Sequence, residues 1–185
     1  MSTLISLNKS SVVFVQTTAS PSINSTSQQS LISTGIGSVL IPVKTLVIGT
    51  TYRFSMEGAV ENPHVPPDGF KIEIGFLGTS PASLAGATGL QYLSGSFATI
   101  SYQLQGSFTV NAIGGPGLAS VSSSAVLTII DDNSGISANQ IGISVTNNAT
   151  FNTTVDNTFE ITAGFTAVSA TNRINSRTFV LEKIK

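Results

Sequence analysis

The chain has 185 residues and a net charge of −1, and only 9% of it is Asp, Glu, Lys or Arg, against about 25% in an ordinary soluble domain. A hydrophobic content of 41% and a mean hydropathy of +0.31 supply a core for one domain, while no basic stripe or polybasic patch exists to hold nucleic acid or an anionic membrane. Cysteine is absent, which excludes disulfide frameworks, zinc–thiolate sites and cysteine nucleophiles.

The N-terminal stretch MSTLISLNKSSVVFVQ has no basic n-region, and its apolar run is broken at Asn8, Lys9, Ser10 and Ser11, so it does not read as a signal peptide. No stretch approaches the roughly 18 apolar residues of a membrane helix. Residues 1–30 are dense in Ser, Thr, Gln and Asn, and SPSINSTSQQS offers no apolar face. They read as an extended arm that docks on a neighbouring subunit, ahead of a body spanning 31–185. Deleting 1–25 is then expected to leave a folded domain.

Period-2 alternation dominates the body and marks half-buried strands. Tyr52, Phe54 and Met56 alternate with Arg53 and Ser55, and Phe70, Ile72, Ile74 and Phe76 alternate with Lys71, Glu73 and Gly75. Ile100, Tyr102, Leu104, Phe108 and Val110 share one parity, with Gly106 expected at a bulge or bend. Phe159, Ile161, Ala163, Phe165 and Ala167 form the cleanest face, and the last strand, around Phe179–Ile184, is expected to be covered on both sides. Less regular strands are expected at 11–17, 29–33, 36–47, 119–130 and 141–155. One short helical turn is expected near 80–88, and a hairpin with an Asp156-Asn157 turn between Phe151 and Ala167. Turn signals separate these elements at VENPHVPPDGF, GTSPASLAGATG, AIGGPG and DDNSG. The pattern predicts an all-β antiparallel sandwich.

Little of the sequence carries chemistry. His64, the one histidine, lies in a proline-rich loop near Asp68, and no GxSxG elbow accompanies it. Asp131, Asp132 and Asn133 offer oxygens that suit calcium, but the Asp-Asp-Asn-Ser-Gly run reads first as a turn. Gly35 and Gly37 are half of a dinucleotide fingerprint, followed by strand-like residues where that motif needs a helix. Five Glu and four Asp gather nowhere into a catalytic pair. The sequons at Asn8, Asn24, Asn148 and Asn152 are what chance gives a chain in which Asn, Ser and Thr are abundant. No catalytic, cofactor-binding or metal-binding residues are assigned, and no enzyme is expected.

The C-terminal third, ATFNTTVDNTFEITAGFTAVSATNRINSRTFVLEKIK, resembles the end of small jelly-roll virion structural proteins of large double-stranded DNA viruses and some tailed phages. The matching residues are Thr153–Thr158, Ala170, Asn172, Ile174 and Leu181–Ile184. TLVIGTTYRFSMEGAV and FKIEIGFLGT are similar to earlier strands of the same family. The resemblance implies a single jelly roll of about eight strands, with the N-terminal arm outside it. It also implies a penton or minor capsid subunit, acting in the virion and assembled in the host cytoplasm. The implied partners are copies of the chain itself, as a pentamer first and a trimer second, together with other capsid proteins. The alternative is the globular head of a fibre or spike that binds a host receptor or glycan.

Overall fold

The computed structural model describes residues 10–61, 69–77, 82–87, 99–130 and 139–184, with the backbone alone for 77, 82–87 and 139. His64, Asp68 and Asp131–Asn133 lie outside the described residues. The described residues form twelve strands, in chain order β1 (Ser11–Gln16), β2 (Gln29–Ser30), β3 (Gly35–Gly37), β4 (Leu40–Ile41), β5 (Thr51–Glu61), β6 (Phe70–Leu77), β7 (Ala82–Ala87), β8 (Ile100–Ala112), β9 (Ser120–Ile130), β10 (Asn139–Asn147), β11 (Asn157–Phe165) and β12 (Arg173–Ile184). Among the described residues the one helical element is a 3-10 turn at Val43–Thr45, entered through Pro42.

All pairings among the described residues are antiparallel, and the protein is a β-sandwich. One sheet has seven strands in the order β10-β9-β8-β5-β12-β1-β3, and the other has five, β2-β11-β6-β7 with β4 also on β11. The pairs nest like one long hairpin: β1 with β12, β2 and β4 with β11, β5 with β8, and β6 with β7. Successive pairs fall in alternate sheets. The hairpin β9–β10, inserted between β8 and β11, widens the seven-stranded sheet.

The period-2 faces read from the sequence are the core. Tyr52, Phe54 and Met56, Ile72 and Ile74, Tyr102 and Leu104, and Phe159 and Ile161 are all buried. Aromatic rings knit the two sheets together. Phe159 on β11 lies 5.2 Å from Phe54, 5.4 Å from Phe108 and 6.1 Å from Phe179, all on the opposite sheet. Phe76 on β6 meets Phe108 edge-on at 5.3 Å. Offset and edge-on contacts of this kind add to the burial of the rings.

Five expectations are corrected. Residues 10–30 run extended, but over the chain's own sandwich: β1 pairs with both β12 and β3, and Phe14 and Ile23 are buried. The segment's low apolar content conceals this, because its few large side chains are the ones that enter the core and its amides are satisfied by β12. Gln16 Nε2 donates to Ser176 Oγ at 2.9 Å, the Ser176 amide donates to Ser20 Oγ at 2.9 Å, and Ser176 Oγ donates to the Leu31 carbonyl. This buried junction fastens the segment to the last strand.

Around residues 80–88 there is a strand, β7, in place of a helical turn, because pairing with β6 overrides the weak propensity of its Ala, Ser and Gly. No hairpin joins Phe151 to Ala167: the preceding strand ends at Asn147 in one sheet and β11 opens in the other, so 148–156 crosses between layers. Gly106 makes no bulge, since register is unbroken from Thr51↔Thr109 to Val60↔Ile100. A Cβ there would lie 2.5 Å from Phe54 Cζ and 2.7 Å from Ala125 Cβ, so the missing side chain is the space the Phe54 ring occupies. The last strand is covered fully on one face only, with Val180, Glu182 and Ile184 half-buried on the other.

Candidate functional surfaces

The residues that carry the family resemblance are structural here. Asn157 Nδ2 donates to the carbonyls of Asn152 and Val155, each at 2.8 Å, and so closes the turn that leads into β11. Thr153 is buried; its amide donates to the Gly114 carbonyl at 2.9 Å and its Oγ1 accepts from the Gly114 amide at 2.8 Å. Asp156 Oδ1 accepts from the Val43 amide at 2.8 Å. Asn172, fully buried, sets the corner between β11 and β12 through its amide to Ser169 O at 3.2 Å.

The bonds of Thr153 and Asp156 lace together three loops, 42–50, 112–119 and 148–156, at one end of the sandwich. Two further bonds tighten the set, from the Gly49 amide to Val110 O at 2.8 Å and from the Gly117 amide to Asn148 O at 2.7 Å. The laced loops carry exposed apolar side chains: Ile48 is 63% exposed, Ile113 54% and Leu118 75%, with Val43, Val47 and Val155 beside them. Single exposed apolar residues are ordinary, but several gathered on one fixed end mark an interaction surface. Sequence reasoning missed this end because its residues belong to three separate stretches that only the fold unites.

The outer face of the seven-stranded sheet is polar; its charged residues lie on β5 and β12, and β8, β9 and β10 present none. Register sets Glu182, Arg53, Ser107, Ser124 and Ser144 in one row across five strands, and Val180, Ser55, Gln105, Val126 and Gly142 in the next. Between these rows runs a shallow trough of about 610 Å³, floored by Phe54, Gly106 and Ala125. Beside it Thr51 and Thr109 share a hydrogen bond at 2.8 Å, and Gln103 Nε2 donates to Glu57 at 3.1 Å. The trough offers hydroxyls, an amide, one guanidinium and one carboxylate. Among the described residues it contains no nucleophile beside a base.

On the outer face of the other sheet, Glu73 and Glu160 stand diagonally on adjacent strands, Glu73 opposite Thr162 and Glu160 opposite Gly75. Their shared parity on β6 and β11 was the only sign of this in the sequence. Each has a partner: Lys71 pairs with Glu73, and Ser30 Oγ donates to Glu160. Burial holds the Glu160 carboxyl above its ordinary value, against the lowering effect of the Ser30 hydroxyl. Tyr102 is raised more strongly by burial, and its hydroxyl donates to Asn175 O at 3.0 Å. Gly58 leaves room for that reach, since a Cβ there would lie 2.5 Å from the phenol oxygen.

Gly35 and Gly37 form the edge strand β3, where a Cβ on either would lie 2.1 Å from a β1 carbonyl oxygen. Close strand approach accounts for them, not a phosphate. No group of three or more potential metal ligands occurs among the described residues, and no described helix is long and apolar enough to cross a membrane. No protein family, curated protein or solved structure matches the chain.

Proposed function

We propose that this chain is a virion structural protein, a penton or minor capsid subunit that works by assembling with copies of itself and with other shell proteins. The observation that carries the reading is the apolar end built by the loops 42–50, 112–119 and 148–156, on a chain with 9% charged residues. Such an end is costly to leave in water and is fixed in shape by its own hydrogen bonds, which suits a permanent contact. The nested pairing of β1 with β12 through to β6 with β7 supports the single jelly-roll winding that the resemblance implies.

The test is the assembly state of Ile48→Asp/Leu118→Asp. Both side chains are well exposed, so the fold is expected to hold while oligomers or incorporation into particles are lost. Unchanged assembly would overturn the role given to this end. A second reading, a fibre or spike head that binds a glycan, is favoured by the trough alone, where Arg53, Gln105, Ser107 and Ser124 could bond to sugar hydroxyls. Glycan-array binding that is lost in Arg53→Ala/Gln105→Ala would support that alternative.

A further inference from the structure

The seven-stranded sheet ends in β10, nine residues with the sequence NQIGISVTN. A free strand edge is a template for further pairing, and proteins ordinarily blunt it with charge, proline, a bulge or shortness. β10 has none of these. It contains no charged residue and no proline, and its register with β9 runs without a break from Asn139↔Ile129 to Asn147↔Val121. The other edges are shorter: β3 has three residues, β2 and β4 two each, and β7 six. Among the described residues no strand pairs with the outer side of β10.

The sequence of β10 is also self-complementary. An antiparallel copy centred on Ile143 places Ile141 opposite the partner's Val145, and Gly142 opposite the partner's Ser144. Gln140 then faces the partner's Thr146. Each residue meets one of its own kind on the same face of the sheet, and no like charges oppose one another. Ile141 and Val145 are only half-buried within one subunit, so the pairing completes their burial.

From these observations we propose that β10 is the contact between two copies of this chain, an antiparallel pairing about Ile143 that joins two seven-stranded sheets into one. Such a pair gains roughly one main-chain hydrogen bond per residue along the shared edge. The contact is isologous and closes on two copies, so it cannot lie between neighbours of a five-fold or three-fold ring. The inference rests on the shell-subunit reading and, of its two forms, takes the minor capsid subunit, placed across a two-fold axis, in place of the penton.

Charge placement at positions 142 and 144 tests the register. Both residues are exposed, and a Cβ on Gly142 would meet nothing within 4 Å, so substitution there spares the fold. Gly142→Lys/Ser144→Lys sets lysines opposite one another across the two-fold, whereas Gly142→Lys/Ser144→Glu sets lysine opposite glutamate. In sedimentation velocity the Lys/Lys form is expected to dissociate with a weakening of at least about tenfold, and the Lys/Glu form to recover the wild-type mass. Circular dichroism should stay at the wild-type value in both. A Lys/Lys form of wild-type mass, two variants equally dissociated, or a wild-type chain that stays monomeric would each overturn the β10 pairing. If Lys/Lys keeps its mass while Ile48→Asp/Leu118→Asp loses it, the edge contact fails and the shell-subunit reading stands.

Discussion

Removal of residues 1–25 is expected to cripple the domain, because this stretch supplies an interior strand of the seven-stranded sheet. Phe14 is 6% exposed and Ile23 2%. Full burial of each contributes about 1.5–3 kcal/mol, so the two side chains alone account for about 3–6 kcal/mol. Deletion also strips β12 of its β1 partner and leaves the buried Ser176 without Gln16 and Ser20. Each buried polar group orphaned in this way costs about 1–3 kcal/mol. Against a typical domain stability of about 5–15 kcal/mol, the loss is half or more. Urea denaturation of the full and truncated chains, followed by far-UV circular dichroism, measures it directly. Phe14→Ala isolates the core term and should cost about 3–5 kcal/mol with the fold retained. A truncated chain that unfolds at the full-length midpoint would refute the reasoning and restore residues 1–25 to a detachable arm.

Gly106→Ala should destabilise by about 1–3 kcal/mol, since the added methyl collides with the Phe54 ring; a variant as stable as wild type in urea would show that the ring is free to move. Glu160 has a folded pKa raised above its unfolded value, so the folded state holds the proton more tightly and stability falls as pH rises through that interval. Glu160→Gln should flatten this fall in a series of melts from acid to neutral pH, and an unchanged pH profile would count against it. The raised Tyr102 acts in the same sense at alkaline pH, with stability lost as pH climbs above the ordinary phenol value of 10.0. Tyr102→Phe should lessen that alkaline loss while giving up about 1 kcal/mol of hydrogen bonding at neutral pH, both measurable by thermal melts.

Strand identity was legible wherever one face of a strand is buried. The alternation at Tyr52–Met56, Phe70–Phe76 and Phe159–Phe165 marks the same residues that form the core. It was illegible where pairing, not side-chain period, makes the strand, as in β7. The meaning of Gly106 was hidden because the ring that fills its space comes from a residue 52 positions earlier in the chain. The apolar end could not be seen as one surface either. Ile48, Ile113, Leu118 and Val155 come together only through hydrogen bonds between loops, centred on Gly114, Thr153 and Asp156.

The central claim is that the chain acts by assembly, and imaging of the purified full-length protein tests it most directly. Particle averages should show closed oligomers of this chain joined through defined surfaces, and Ile48→Asp/Leu118→Asp should disperse them. Single copies at every concentration, identical for wild type and variant, would contradict it.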